Sequence, residues 1–350
     1  MATGRPATIY DVAALAKLSI ATVSRVLQGT GPVSEKARAR VGQAAAELNY
    51  VPLRAARSLA VQRHEAHGLV LPDLSGPFYG DLLMGYERWA GEHGQSVVLT
   101  VTHGNADPRR TVRDLAGRVD GIVVHGNALD VATIQELRKA GVPLVLVAHP
   151  PVTGCDSVRT ESLSSAEQLT GRLLDAGRKN LVFVGDPASS YDVSERYAGF
   201  AKAHESRGEV APEPIRVELT EIAGRGVAED VLARTRAKRD GVGRPGGVRR
   251  PDGFVCANDE LGLAVLTTLR GGGIDVPKDV VVTGWDDVMA ARYVSPGLST
   301  VRQPMAELGQ LAAQRLHERV TGERTRARND VLATELVLRD SCGTSGAEEQ

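Results

Sequence analysis

From about residue 67 onward the chain alternates short apolar runs with amphipathic stretches of helical period, and no other feature of its 350 residues restricts the fold so tightly. Strands separated by helix-length segments cannot pair as hairpins; they need crossover connections and so build a parallel sheet. The expected strands are 68–72, 96–101, 121–124 and 144–147, then 181–185, 215–219, 253–257 and 280–284, which implies two similar α/β lobes. A chain of this length exceeds one typical hydrophobic core, so a modular layout is expected.

Residues 1–63 do not share this pattern. They hold nine Lys and Arg against three acids, a formal charge of +6, while the remainder carries −7. A small basic head on an acidic body suits a protein that holds phosphates with one end. The chain is 42% apolar and 24% charged, with no apolar run near the roughly 18 residues of a membrane span. The start, MATGRPATIYD, lacks the order of a secretory signal, so a cytoplasmic location is expected. Cys155, Cys256 and Cys342 lie far apart without CxxC pairing, so they are expected to be buried thiols, with no disulfide framework and no metal site.

Within the head, Thr8-Ile9-Tyr10-Asp11 fits a capping box, with Asp in place of the usual Glu. Val12, Leu15 and Ala16 follow at helical spacing, and the helix is expected to stop near Lys17-Leu18. Ser19 reads as the N-cap of a second helix with Val23, Val26 and Leu27 as its buried stripe. That stripe leaves Ile20, Ala21, Thr22, Ser24 and Arg25 facing outward. Hydroxyls suit phosphate oxygens, small apolar groups suit thymine methyls, and Arg suits a guanine edge. A third helix runs from Ser34 through Val41, Ala45 and Leu48 and closes at Asn49.

The segments TIYDVAALAKLSIATVSRVL, VSEKARARVGQAAAELNYVP and RAARSLA together resemble the lactose/galactose repressor (LacI) family. By that resemblance Ile20, Ala21 and Arg25 read bases, Ser19, Thr22 and Ser24 hold phosphates, and Thr8, Tyr10 and Tyr50 join the DNA contacts. RAARSLA matches a hinge helix that pairs with its copy in a second subunit, Leu59 being the minor-groove wedge and Ala56 the small residue one turn before it. Lys17 departs from the family's usual Gly in the turn, and Leu53 from its usual Asn after Pro52.

The resemblance extends through PDLSGPFYGDLLMG, DGIVVHG, RYAGF, ANDELGLAVL, GIDVPKDVVVTGWDD, SPGLSTVRQP and ELVLRDS. It implies an N-terminal all-α helix-turn-helix DNA-binding domain plus an α/β periplasmic-binding-protein-like effector domain of two Rossmann-like lobes. The chain would cross about three times between those lobes. The expected segments are 1–52 (headpiece), 53–66 (hinge helix and linker), 67–342 (effector binding and dimerisation) and 343–350 (disordered tail). Phe78 and Tyr79 fall where the family places side chains against the effector ring. Arg196 matches an arginine that forks onto effector oxygens, and Asn258 and Asp286 match polar residues of the far wall. Asp73 and His125 are further candidates, with Tyr191 and Trp285 beside them. An aromatic surface, a forked Arg and a carboxylate together make polyol-binding chemistry. Ala148 stands where a hydroxyl-binding Asp is frequent, and Arg159-Thr160-Glu161 replaces the usual Asp-Asn pair.

Two motifs decline on context. Gly241-Val-Gly-Arg-Pro-Gly246 satisfies GxGxxG but follows Ala-Lys-Arg-Asp rather than a strand, so a basic loop is expected and no nucleotide cofactor. His64 and His67 are spaced i, i+3, not the i, i+4 of a zinc helix. The expected function is a repressor, not an enzyme, that binds a pseudo-palindromic operator in double-stranded DNA as a homodimer. A small-molecule effector, a carbohydrate by class, would control it. The rivals are a solute-binding protein and an α/β enzyme, both of which should ignore DNA.

Overall fold

The computed structural model describes residues 7–29, 31–51, 63–239 and 250–343. The chain divides between His64 and Glu65 into two units, each with its own core.

The first unit is three helices, α1 (Ile9–Ala16), α2 (Ile20–Gln28) and α3 (Glu35–Glu47). The capping box forms: the Thr8 amide donates to the Asp11 carboxylate at 2.8 Å, and the Asp11 amide to the Thr8 hydroxyl at 3.4 Å. Ser19 and Ser34 cap α2 and α3 by accepting from the Thr22 and Ala37 amides. Asn49 has a φ of 47°, and the Tyr50 amide returns to the Ala45 carbonyl, which ends α3 where the sequence places its close. Val12, Ala13, Ala16, Val23, Val41 and Ala44 make the core. Leu15 is a correction: it is exposed, because α1 turns its 12/13/16 face inward.

In the second unit, six parallel strands lie in the order β10-β5-β4-β3-β1-β2. They are β1 (Ala66–Leu71), β2 (Ser96–Val101), β3 (Gly121–His125), β4 (Leu144–Val147), β5 (Asp156–Thr160) and β10 (Asn329–Leu332). β1 starts at Ala66, so the stretch 53–66 expected as linker ends one residue earlier; the expected hinge residues Ala56 and Leu59 lie outside the described residues. Helices α4 (Tyr79–Glu92) and α12 (Met305–Thr321) cover one sheet face, and α5 (Pro108–Ala116) and α6 (Val131–Lys139) the other. Gly85 and Gly309 let α4 and α12 meet backbone to backbone. A Cβ at Gly85 would stand 1.9 Å from the Ala306 carbonyl oxygen, and one at Gly309 2.1 Å from that of Leu82.

The second lobe holds the parallel sheet β6 (Leu181–Val184), β7 (Gly253–Cys256), β8 (Val281–Thr283). Around it are α7 (Leu163–Asp175), α8 (Tyr191–Glu205), α9 (Glu221–Arg239), α10 (Asp259–Gly271) and α11 (Met289–Tyr293). Next to it, β9 (Thr300–Arg302) pairs antiparallel with β11 (Glu335–Val337). The strand expected over 215–219 is reduced to a single bridge between Ile215 and Val184. Two backbone bonds hold Ile215 to β6, and among the described residues no strand flanks it on the outer side.

The chain passes between lobes three times: from β5 to α7, from β9 to α12, and from β10 to β11. Side chains knit the crossings together. Thr160 donates to Gln303 at 2.6 Å, Ser165 and Thr334 share a bond of 2.7 Å, and Thr334 donates to the Glu161 carbonyl at 3.0 Å. Glu161 accepts from the Ser164 and Ser165 amides at the start of α7. All three cysteines are buried and free. Among the described residues no helix is long and apolar enough to cross a membrane.

Candidate functional site

On α2, Val23 points into the core and turns Ile20, Ala21 and Arg25 outward, all three exposed. Thr22 and Ser24 are half-buried beside them. The Ser19 and Thr22 hydroxyls bond to each other at 2.9 Å at the amino end of α2, where the helix dipole and unsatisfied amides favour an anion such as a phosphate. Tyr10 is exposed; Tyr50 is half-buried against the core, and the Thr8 hydroxyl donates to Asp11 at 2.7 Å. Lys17 adopts the left-handed conformation, φ 49° and ψ 48°, in the turn between α1 and α2, and its carbonyl accepts from Arg40. A side chain there costs roughly 1–2 kcal/mol relative to Gly.

In the second unit the carboxyl ends of the strands in the two lobes face a common cleft. Its first-lobe wall is aromatic. Phe78 and Tyr79 lie 4.2 Å apart by ring centroids, and Tyr79 meets His125, at the end of β3, edge-on at 5.4 Å. Burial pushes His125 down to about 4 and raises the Tyr79 hydroxyl, with the Asp73 and Asp286 charges adding to the latter. Asp73 accepts from the Ser75 amide and hydroxyl.

The second-lobe wall is charged. Arg196, buried on α8, donates through Nη1 to the Ala257 carbonyl at 2.6 Å and lies 4.6 Å from the Trp285 ring centre. Burial raises the Asp286 carboxyl above its usual range, while Arg196 and the Gln303 bond pull it down. Asp192 is likewise raised by burial against the pull of Arg196 and Arg159. Arg196 Nε, Trp285 Nε1 and His125 Nδ1 are buried without a hydrogen-bond partner among the described residues. Such groups cost about 1–3 kcal/mol each unless a ligand or water meets them.

Asn258 contributes differently. Its Oδ1 caps α10 through the Leu261 amide and its Nδ2 donates to the Leu219 carbonyl, so it braces the cleft as a helix cap. Tyr191 sits 6.0 Å beneath the Arg159 guanidinium, a contact between the lobes. Asn127 donates across the cleft to the Ser189 carbonyl at 3.1 Å. The sequence reading did not single out Gln303, Asp192 or Asn127. A separate cavity of about 860 Å³ lies at the amino ends of β6 and β7, lined by Leu181, Ile215, Val227 and Val231 among others, and no predicted effector contact reaches it.

A helix-turn-helix unit followed by a two-lobed binding unit defines the class of ligand-responsive transcriptional regulators. Residues 8–52 match the family model of bacterial regulatory proteins, lacI family, and residues 170–342 that of a periplasmic binding protein-like domain. The HTH-type transcriptional regulator CelR of Thermobifida fusca is 33% identical over 346 residues, covering 96% of this chain and 98% of that protein. A solved CelR–cellobiose complex superposes with a TM-score of 0.70 at 31% identity, over 96% of this chain and 99% of that one. The Lac repressor dimer bound to operator and the anti-inducer ONPF gives 0.80 at 26%, over 97% and 99%. The chain belongs to the LacI family of DNA-binding transcriptional regulators.

Proposed function

We propose that this chain is a repressor whose α2 reads a pseudo-palindromic operator through Ile20, Ala21 and Arg25, with Ser19, Thr22 and Ser24 on phosphates, and whose interlobe cleft binds a carbohydrate effector. The observation that carries the effector reading is the pairing of two walls. One is the Phe78, Tyr79 and His125 ring surface; the other is Arg196 stacked on Trp285 beside Asp286. A sugar has apolar ring faces and hydroxyl edges, so one aromatic wall and one wall of charged hydrogen-bonding groups match it on both counts. The cellobiose held by the related CelR supports that class. Twofold symmetry of a homodimer would match the operator, with Leu59 and Ala56 as the minor-groove pair. The protein acts by binding, without turnover of its ligand, and works in the cytoplasm.

The test is a thermal-shift screen of mono- and disaccharides, followed by operator titration with each stabilising sugar. A sugar that raises the melting temperature and shifts operator affinity supports the reading. Stabilisation only by nucleobases or amino acids would overturn the carbohydrate class.

A further inference from the structure

Gln303 lies on the second crossing between the lobes and holds a partner on either side. Its Nε2 donates to Asp286 Oδ1 in the second lobe at 2.6 Å, and its Oε1 accepts from the Thr160 hydroxyl, at the end of β5 in the first, at 2.6 Å. Because the amide is planar, a displacement at one end is felt at the other.

Asp286 is unusually well placed to deliver such a displacement. Its φ of 115° is a conformation that L side chains rarely adopt, and its main chain is held there by a bridge to Arg302 and by its amide donating to the Val301 carbonyl at 2.8 Å. Val301 and Arg302 lead directly into Gln303. Main chain and side chain of Asp286 are thus both fastened to the segment that carries the polypeptide into the first lobe. Strained backbone persists only where surrounding structure holds it, and such positions concentrate at sites that switch.

We propose that the Thr160–Gln303–Asp286 chain of hydrogen bonds sets the angle between the lobes and carries occupancy of the cleft to it, with Gln303 as the coupling residue. The inference rests on the cleft being the effector site and assigns it a route of regulation. A ligand that engages Asp286 acts on the crossing itself, because Gln303 on that crossing bonds directly to both the Asp286 carboxylate and the Thr160 hydroxyl. Thr160 supplies a neutral donor that the Gln303 side-chain carbonyl accepts, adding no further charge to the acidic groups around Asp286.

The test measures the lobe angle in the ligand-free full-length chain. The native cysteines are buried, so spin labels go to Lys139→Cys on α6 and Glu205→Cys on α8, both exposed. Pulsed electron resonance then gives the distance distribution for the parent, Thr160→Val, Thr160→Ser, Gln303→Leu, and the double variant Thr160→Val with Gln303→Leu. Thr160→Val keeps the shape and loses the donor, whereas Thr160→Ser keeps the donor. The expected result is one common shift for Thr160→Val and Gln303→Leu, no further shift in the double variant, and the parent distribution for Thr160→Ser. An unchanged distribution in Thr160→Val, additive shifts in the double variant, or equal shifts for Ser and Val would overturn the proposal. Failure of the effector reading shows separately, as parent distances that saturating cellobiose and the other screened sugars leave in place.

Discussion

The Arg196 guanidinium lies 4.6 Å from the centre of the Trp285 ring while donating to the Ala257 carbonyl at 2.6 Å, so one side chain ties α8 to the ends of β7 and β8. It also brings a positive charge to Asp286 and Asp192, whose carboxyls burial would otherwise push higher. Arg196→Lys keeps the charge but loses the planar fork. It is expected to weaken effector binding by about 2 kcal/mol, roughly thirtyfold, and to leave operator affinity unchanged. Calorimetric titration with the stabilising sugar and anisotropy with operator DNA measure the two; equal loss of both would place the effector elsewhere.

Lys17 holds a left-handed backbone that Gly adopts at no steric cost. Lys17→Gly should stabilise the first unit by about 1 kcal/mol, read from chemical denaturation of the full chain as the earlier transition. If the ammonium sits near a phosphate, operator affinity falls in the same variant and the slope of log affinity against log salt decreases by about one.

Stability should fall on the acid side through two buried histidines. Burial and the charge of His317 push His67 down to about 4, and burial alone takes His125 to about 4. Both ordinary values are near 6.5, so between pH 6.5 and 4 the unfolded chain binds more protons than the folded one. Their contribution is complete above pH 6.5 and is lost as pH falls to 4, at about 1.4 kcal/mol per pH unit for each. Buried Asp259, which takes the Thr300 hydroxyl at 2.6 Å, is shifted above the usual carboxylate range, chiefly by burial, and so works in the opposite direction, losing stability as pH rises. Melting temperatures of parent, His67→Phe and Asp259→Asn from pH 4 to 9 separate the two: the first variant should flatten the acid limb, the second the alkaline one.

Asn127 and Ser189 join the lobes across the cleft through one hydrogen bond. Asn127→Ala should raise the effector dissociation rate about fivefold, the equivalent of about 1 kcal/mol, with little change in melting temperature. Stopped-flow displacement of bound sugar checks it; an unaltered rate means that the bond does not close the ligand-bound cleft.

What the sequence disclosed and what it withheld follow from the range of the interactions. The Thr8/Asp11 box and the Ser19 and Ser34 caps span three residues each, so their signals are local and all three form. The uniformly buried, mostly apolar strands β1, β3, β4 and β7 were legible as runs. β5, Asp-Ser-Val-Arg-Thr, and β9, Thr-Val-Arg, were not, because they are short and polar and their places depend on partners far along the chain. Gln303 escaped notice for the same reason: its bond to Thr160 spans 143 residues. Asn258 could have been recognised as a cap, since Asn followed by Asp and Glu is a helix-start signal. Leu15 misled because a spacing of three fits two neighbouring helix faces, and only packing chooses between them.

The most direct test is selection of full-length protein on a random duplex pool at physiological salt, followed by anisotropy titration of the enriched sequence with and without the stabilising sugar. The account predicts a twofold-symmetric consensus, bound at least about a thousandfold more tightly than a scrambled duplex, with the sugar altering that affinity. Equal affinity for the consensus and the scrambled duplex, or a consensus affinity that the bound sugar leaves untouched, would contradict it.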